Sequence, residues 1–265
     1  MEPINKLNRT VILDEIGRIA PNLRVDLELL DLVDSTNTRL MNAQRHDFIP
    51  TVCVAEQQTA GRGRRGREWI SPRGSILFSI RRRFRQPPDQ MMGLSLAAGV
   101  AVAEALRQFG AKDIGLKWPN DLLWRNRKLA GLLVEMSSHG RDLRAVTGVG
   151  MNYTMPEKQA DNIGQPWANL TDVFDIVPER NRIIGALIGH LLNALNTFEQ
   201  MGLSAFSERW EPFDLLRGKT VDIFSNETVE SGVVTGIDSS GALCVDMQGH
   251  VKRFYAGEVS VRRKN

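Results

Sequence analysis

Gln57–Trp69 reads QQTAGRGRRGREW, and Gly61–Arg67 within it packs four arginines and three glycines into seven consecutive positions. Packing alone is a poor explanation for such a run. Arginine presents a planar fan of donors suited to carboxylate and phosphate, and glycine lets backbone approach a ligand closely. The loop therefore reads as a holder of an anionic or acyl-phosphate-like species. Its spacing, Gly61-x-Gly63-x-x-Gly66, matches the dinucleotide fingerprint formally. That fingerprint must open a helix, so that a pyrophosphate meets the helix N-terminus. Here Thr51–Gln57 leads in as a strand, and the β-branched and aromatic run Ser75–Arg83 (SILFSIRRR) leads out. A strand–loop–strand setting predicts a flexible cover over a pocket and removes the dinucleotide reading.

Upstream of the loop, Ile4–Ile16 reads as a short helix or linker and Leu27–Val33 as a strand. Asp34-Ser35-Thr36-Asn37 is a helix N-cap signal, opening a short helix through Leu40. Downstream, Gln90–Phe109 is apolar, rich in alanine and closed by Gly110, which predicts a long helix. Leu116–Trp118 reads as a strand entering a Pro-Asn-Asp turn, with Leu122–Trp124 continuing it and Asn126 as the next turn. Lys128–Met136 and Ala145–Asn152 read as apolar strands, Glu179–Met201 as an amphipathic helix and Ala205–Trp210 as a short one. After Pro212 the texture changes to short alternating segments at Thr220–Phe224, Val229–Ile237, Ala242–Met247 and Val251–Tyr255. These suggest a small β-barrel.

At 265 residues the chain can bury a large core and still carry a small second unit. No apolar run approaches the roughly 20 residues that span a bilayer, so no membrane partner is expected. The N-terminus lacks the pattern of a secretory signal, and Cys53 and Cys244 sit far apart in strand-like surroundings. Both features fit reduced thiols in a cytoplasmic protein. The net charge of +3 is unevenly spread. Gln57–Arg85 holds nine arginines against Glu68, a local charge of +8 that leaves −5 for the rest. Charge so concentrated suits one anionic ligand better than a nucleic-acid surface. His46, His139, His190 and His250 show no metal-ligand spacing, so a zinc site is not expected.

Two further constellations accompany the loop. In Lys117-Trp118-Pro119-Asn120-Asp121 the proline sets a tight turn, and a carboxylate beside a lysine suits magnesium-assisted handling of a nucleotide phosphate. In Arg127–Glu135 (RKLAGLLVE) a lysine stands at the mouth of an apolar strand, and Gly131 signals close approach of a ligand or another backbone. Gly148-Val149-Gly150-Met151-Asn152 repeats that pattern, ending on an amide. Each has an ordinary reading alone: a solvated loop, a plain turn, a solvated strand end.

In this order, Asp34–Asn37, the Gln58–Trp69 loop, KWPND, RKLAG-LLVE and GVGMN resemble the motif series of the biotin–protein ligases, and most nearly the bacterial biotin–[acetyl-CoA-carboxylase] ligase type. The likeness covers nearly the whole chain, including Gly257–Arg262. It implies an α+β fold: a class II synthetase-like mixed sheet backed by helices, with a small C-terminal SH3-like β-barrel. The implied division is a linker-like segment over 1–22, a catalytic domain over 23–212 and the small domain over 213–265.

The resemblance also implies ATP-dependent activation of biotin to biotinyl-5′-AMP, assisted by Mg2+, and transfer to a lysine of the biotin carboxyl carrier protein of acetyl-CoA carboxylase. By the same carry-over Ser35, Thr36, Asn37, Gln58, Arg62, Gly63, Arg64 and Lys128 would bind biotin. Arg64, Trp69, Lys117, Asn120, Asp121, Gly131 and Asn152 would meet ATP or the adenylate. Lys128, Arg64, Asp121 and Lys117 would be catalytic, with Asp121 also the candidate magnesium ligand. Relatives that repress transcription carry a winged helix-turn-helix of roughly 60 residues ahead of the catalytic domain. About 20 residues precede Leu23 here, so specific DNA binding is not expected. A homodimer is compatible with the family. The competing readings are a lipoate–protein ligase, which shares fold and chemistry, and a nucleic-acid-binding protein using the arginine loop.

Overall fold

The computed structural model describes residues 5–43, 48–139, 142–155, 164–225, 228–257 and 259–264. Of the positions read above, Ile4, His46, Glu258 and the side chain of His139 lie outside the described residues. Seven strands form one mixed sheet: β1 (Asp26–Val33), β2 (Thr51–Gln58), β3 (Ile76–Phe84), β4 (Ile114–Lys117), β5 (Asp121–Trp124), β6 (Arg127–His139) and β7 (Asp142–Met151). Their order is β1-β2-β3-β7-β6-β5-β4, parallel between β1 and β2 and antiparallel elsewhere.

Side chains alternate across a strand, so each strand serves two environments. Val52 and Val54 of β2 and Phe78 and Ile80 of β3 enter the main core, with residues of α1 (Arg9–Ile19), α3 (Leu94–Gln108) and α4 (Arg180–Met201). Cys53 and Val146, at the opposite parity, join Leu40 of the short helix α2 (Thr36–Met41) in a separate small cluster. The long helices and α2 thus cover opposite faces. The α2 face, which also receives Ser79, Gly148 and Glu135, is where the site forms.

Three elements differ from the sequence reading. α1 runs Arg9–Ile19 from an Asn8 cap, and its Ile12 and Ile16 are buried, so this part of the linker-like segment packs into the core. α3 begins at Leu94, after a 3-10 turn at Pro88–Met91 and a left-handed Gly93 (φ 87°) that stop it extending backwards to Gln90. The Lys117–Asp121 segment is the bend of a hairpin: Lys117 pairs with Asp121 and Leu116 with Leu122, so β5 runs back along β4.

After α5 (Ser204–Trp210), the chain forms β8 (Thr220–Phe224), β9 (Val229–Ile237), β10 (Leu243–Met247), β11 (His250–Phe254) and β12 (Ser260–Arg263). They make an antiparallel five-stranded sheet ordered β11-β10-β9-β8-β12. β12, which the alternation did not reveal, is four residues long and pairs with β8. The Trp118 indole N–H donates to the Gly241 carbonyl at 3.0 Å, and Leu215 N–H to the Leu116 carbonyl at 3.0 Å, tying this sheet to the β4–β5 hairpin. Buried apolar residues continue through the join, with Val221, Ile223 and Val245 in the same cluster as the long helices. Cys53 is buried and Cys244 half-buried. No helix among the described residues is long and apolar enough to cross a membrane.

Candidate active site

The arginine loop is more ordered than its composition suggested. Trp69 N–H donates to the Gly61 carbonyl at 2.9 Å and Gly63 N–H to the Arg67 carbonyl at 2.7 Å, folding it into a small hairpin. Arg65 (φ 58°) and Gly66 (φ 72°) form its tip. A Cβ on Gly61 would lie 2.3 Å from the Trp69 carbonyl oxygen, so this glycine serves closure of the loop on itself.

Under the loop lies a cavity of about 720 Å³, a size suited to a small-molecule ligand. Ser35, Thr36, Asn37, Gln58, Arg62, Gly63, Arg64, Trp69, Lys117, Asn120, Asp121, Lys128, Gly131 and Asn152 all line it. Every candidate residue is thus brought to one place.

The end under α2 is polar, and its charges, Arg62 and Glu135, are paired with each other. Gln58 Oε1 accepts from Thr36 N–H (2.8 Å) and lies 3.1 Å from its hydroxyl, which lies 2.7 Å from Ser79 Oγ. Ser79 donates to Asn37 Oδ1 at 2.6 Å. Asn37 Nδ2 donates to Glu135 Oε2 at 2.8 Å and to the Leu133 carbonyl at 3.3 Å. Arg62 reaches the same Glu135 oxygen at 2.7 Å. On the other side Gln58 Nε2 donates to Ser71 Oγ (2.9 Å), which donates to the Trp69 carbonyl (3.0 Å). Gly148 keeps this floor open, since a Cβ there would lie 2.1 Å from Asn37 Oδ1.

The middle is built around Trp69. A Cβ on Gly150 would sit 2.5 Å from its Nε1, and one on Gly131 would sit 3.2 Å from its ring. The close approach signalled by Gly131 is thus made by this indole. Trp69 Nε1 is buried and finds no hydrogen-bond partner among the described residues. Buried donors are nearly always satisfied, so this one suits an acceptor on a ligand.

The far end is charged. Lys128 Nζ pairs with Asp121 Oδ1 at 2.9 Å and stands 5.3 Å from the Trp69 ring centroid. Its backbone is held on both sides: Lys128 N–H donates to the Pro166 carbonyl (2.9 Å), and Ala168 N–H to the Lys128 carbonyl (3.0 Å). Burial pushes the Lys117 ammonium below its ordinary value; Asp121 opposes this, and Lys128, Arg262 and Arg67 add to it. Arg64, lowered mainly by burial and held up by Asp121, donates to Asn120 Oδ1 at 3.3 Å and to the Ala256 carbonyl. Asn120 Nδ2 in turn holds the Leu132 carbonyl at 2.7 Å. Both donors of Asn152 are spent on the Lys128 (3.3 Å) and Ala168 (3.2 Å) carbonyls, so only its Oδ1 is left to meet a ligand.

The sequence reading missed Glu135, Ser79 and the Gln165–Trp167 wall as site residues. It also gave Val259–Arg262 no role in the cavity, which β12 closes from the second sheet. Gln-Pro-Trp was a local signal for one of these, an aromatic in a polar stretch. The others depend on strand pairing across long separations.

Comparison with known proteins identifies the family. Residues 29–152 match the Biotin/lipoate A/B protein ligase family, and residues 218–262 match the Biotin protein ligase C terminal domain. The chain is 38% identical over 265 residues to the bifunctional ligase/repressor BirA of Escherichia coli (strain K12), covering 98% of this chain and 80% of that protein. It is 34% identical over 247 residues to the biotin–[acetyl-CoA-carboxylase] ligase of Mycobacterium tuberculosis, covering 88% of each. Among solved structures it is similar to the biotin protein ligase from Aquifex aeolicus in complex with biotin and ATP. That likeness has a TM-score of 0.76 and 28% identity, over 90% of this chain and 99% of that one.

Proposed function

This chain belongs to the biotin/lipoate A/B protein ligase family, and we propose that it activates biotin with ATP and passes the biotinyl group to a lysine of the biotin carboxyl carrier protein of acetyl-CoA carboxylase. The observation that carries this is the polarity of the cavity: hydrogen-bonding groups at the α2 end, where Arg62 is paired with Glu135, and Lys128, Lys117 and Arg64 around Asp121 at the other.

Biotin has that same division. Its ureido ring offers one carbonyl and two N–H groups to Thr36, Asn37 and Gln58, which line the cavity over Ser79, while its carboxylate extends towards Lys128. The dithiolane of lipoate has no such groups and would leave a polar floor unmatched, which costs far more than a missing methylene. In the first step a carboxylate oxygen attacks the α-phosphorus of ATP, a C–O–P link forms, and the bond to pyrophosphate breaks. Two unit charges about 4 Å apart repel by about 4 kcal/mol at an effective dielectric near 20. The cations offset a barrier of that order. In the second step the carrier's lysine amine attacks the acyl carbon, AMP leaves and an amide forms. Asp121 would take the amine's proton, and Trp69 with the loop would keep water from the anhydride.

One carboxylate fits a magnesium ion when phosphate oxygens complete the shell. Asp121 would hold that ion, whose contribution is to neutralise phosphate charge. Among the described residues no group of three or more His, Cys, Asp and Glu could hold a metal without such help.

The test is incubation with biotin, or with lipoate in parallel, plus ATP, magnesium and a carrier domain, read by intact mass. A carrier mass shift with biotin is expected, and none would defeat the reading. Gly148→Ala, which drives a methyl into Asn37, is expected to raise biotin KM about tenfold and leave ATP KM within about twofold. Initial rates at varied biotin and varied ATP decide it, and equal rises in both would count against this floor as the ring site.

Lys117 sets a pH dependence. Its ammonium lies below the ordinary value of 10.5 in the free protein, and an adjacent phosphate favours the charged form, raising it on binding. Nucleotide binding should then take up protons in the alkaline window between the two values, and affinity should fall as pH rises through it. Calorimetry in buffers of different ionisation enthalpy measures the uptake. Lys117→Arg should abolish it, and an unchanged uptake would clear Lys117 of the role.

A further inference from the structure

We propose that Glu135 is a positioning residue that ties closure of the arginine loop to recognition of the ligand ring; this rests on the reading of the α2 end as the biotin site. A carboxylate accepts hydrogen bonds and cannot donate when ionised. By taking Asn37 Nδ2 at 2.8 Å, Glu135 Oε2 fixes which way that amide faces, with Oδ1 turned to Ser79. The same oxygen takes Arg62 Nη2 at 2.7 Å.

The polar floor is therefore fastened to the loop at both ends, to Arg62 through Glu135 and to the Trp69 carbonyl through Gln58 and Ser71. A ring ligand that engages Asn37 and Thr36 settles the floor in one arrangement, and that arrangement is the one that holds both feet of the loop. An ion pair as exposed as Arg62–Glu135, whose side chains keep 44% and 24% of their surface, adds little to stability. Its effect belongs to the loop.

Two measurements test this. Trypsin cuts after arginine, so Gly61–Arg67 reports its own order. Without ligand, Glu135→Leu should be cut within this loop about tenfold faster than wild type, with fragments assigned by mass, while the unfolding midpoint stays nearly unchanged. In steady state Glu135→Leu should raise biotin KM about tenfold, with ATP KM within about twofold. Glu135→Gln keeps the shape and one acceptor oxygen, and should fall between wild type and Glu135→Leu in both readouts. Unchanged loop cutting in both variants, or biotin and ATP KM rising together, would overturn the proposal. If Glu135→Leu does not fold, Glu135→Gln decides alone. If wild type transfers no biotin, the function proposed above fails, and the trypsin comparison still decides whether Glu135 holds the loop.

Discussion

Lys128→Ala is expected to reduce the rate of adenylate formation by about 10²–10³, the usual loss when one preorganised charge partner of a transition state is removed. Three features of the site make the loss this large. Lys128 is fixed at its backbone by Pro166 and Ala168, so its side chain starts from one held position in the cavity wall. It neutralises Asp121 at 2.9 Å, so the truncation leaves a carboxylate unpaired beside the incoming anions. It also stands 5.3 Å over the Trp69 ring. The second of these can be separated from the others. Lys128→Ala/Asp121→Asn removes the stray carboxylate and should recover about tenfold of the lost rate, whereas Lys128→Arg keeps charge with a planar, longer head group and should recover less. Biotin-dependent exchange of pyrophosphate into ATP measures the step. A Lys128→Ala rate within fivefold of wild type would remove Lys128 from the chemistry.

The order of elements and the identity of most lining residues were legible because local signals carry them. Ser35 caps α2 with its hydroxyl accepting from Thr38 N–H at 3.4 Å, as the Asp-Ser-Thr-Asn run predicted. The cap explains why Thr36 and Asn37 lie together in the first turn, facing β3 and β6. What was not legible depends on register. Glu135 and Asn37 are 98 residues apart in sequence and meet because β6 pairs with β7 and β7 with β3 at one particular alignment. A slip of one residue would send Ser79, Gly148 and Glu135 to the opposite face. The glycines illustrate the same limit. Gly131 and Gly150 signalled a close approach, but not that the approaching group would be Trp69, from the far side of a loop. The short strand β12 lay beyond local inference for another reason: four residues carry too little alternation to read, and its place is set by pairing with β8.

Arg64→Gly should separate making the adenylate from keeping it. Arg64 joins three parts of the molecule: it rises from the loop, donates to Asn120 Oδ1 at 3.3 Å in the β4–β5 bend, and donates to the Ala256 carbonyl before β12. Hydrogen bonds from a charged donor are worth about 1.5–3 kcal/mol each. Losing a net of about 3 kcal/mol of closure corresponds to roughly 10² in escape of the intermediate. Formation itself should slow less than tenfold, because Lys128 and Lys117 remain. Escaped biotinyl-AMP is a reactive mixed anhydride, so lysines of a bystander protein such as serum albumin should become labelled, as an avidin blot would show.

The loop supplies its own control. Arg65 holds φ 58°, a conformation that glycine adopts without the penalty of a side chain, and it is exposed. Arg65→Gly makes the same chemical change one residue away and should leave retention within about threefold of wild type. If the two variants leak alike, the loss comes from glycine loosening the loop, and Arg64 has no bridging role. If only Arg64→Gly leaks, the guanidinium that spans loop, bend and second sheet is what holds the cover shut.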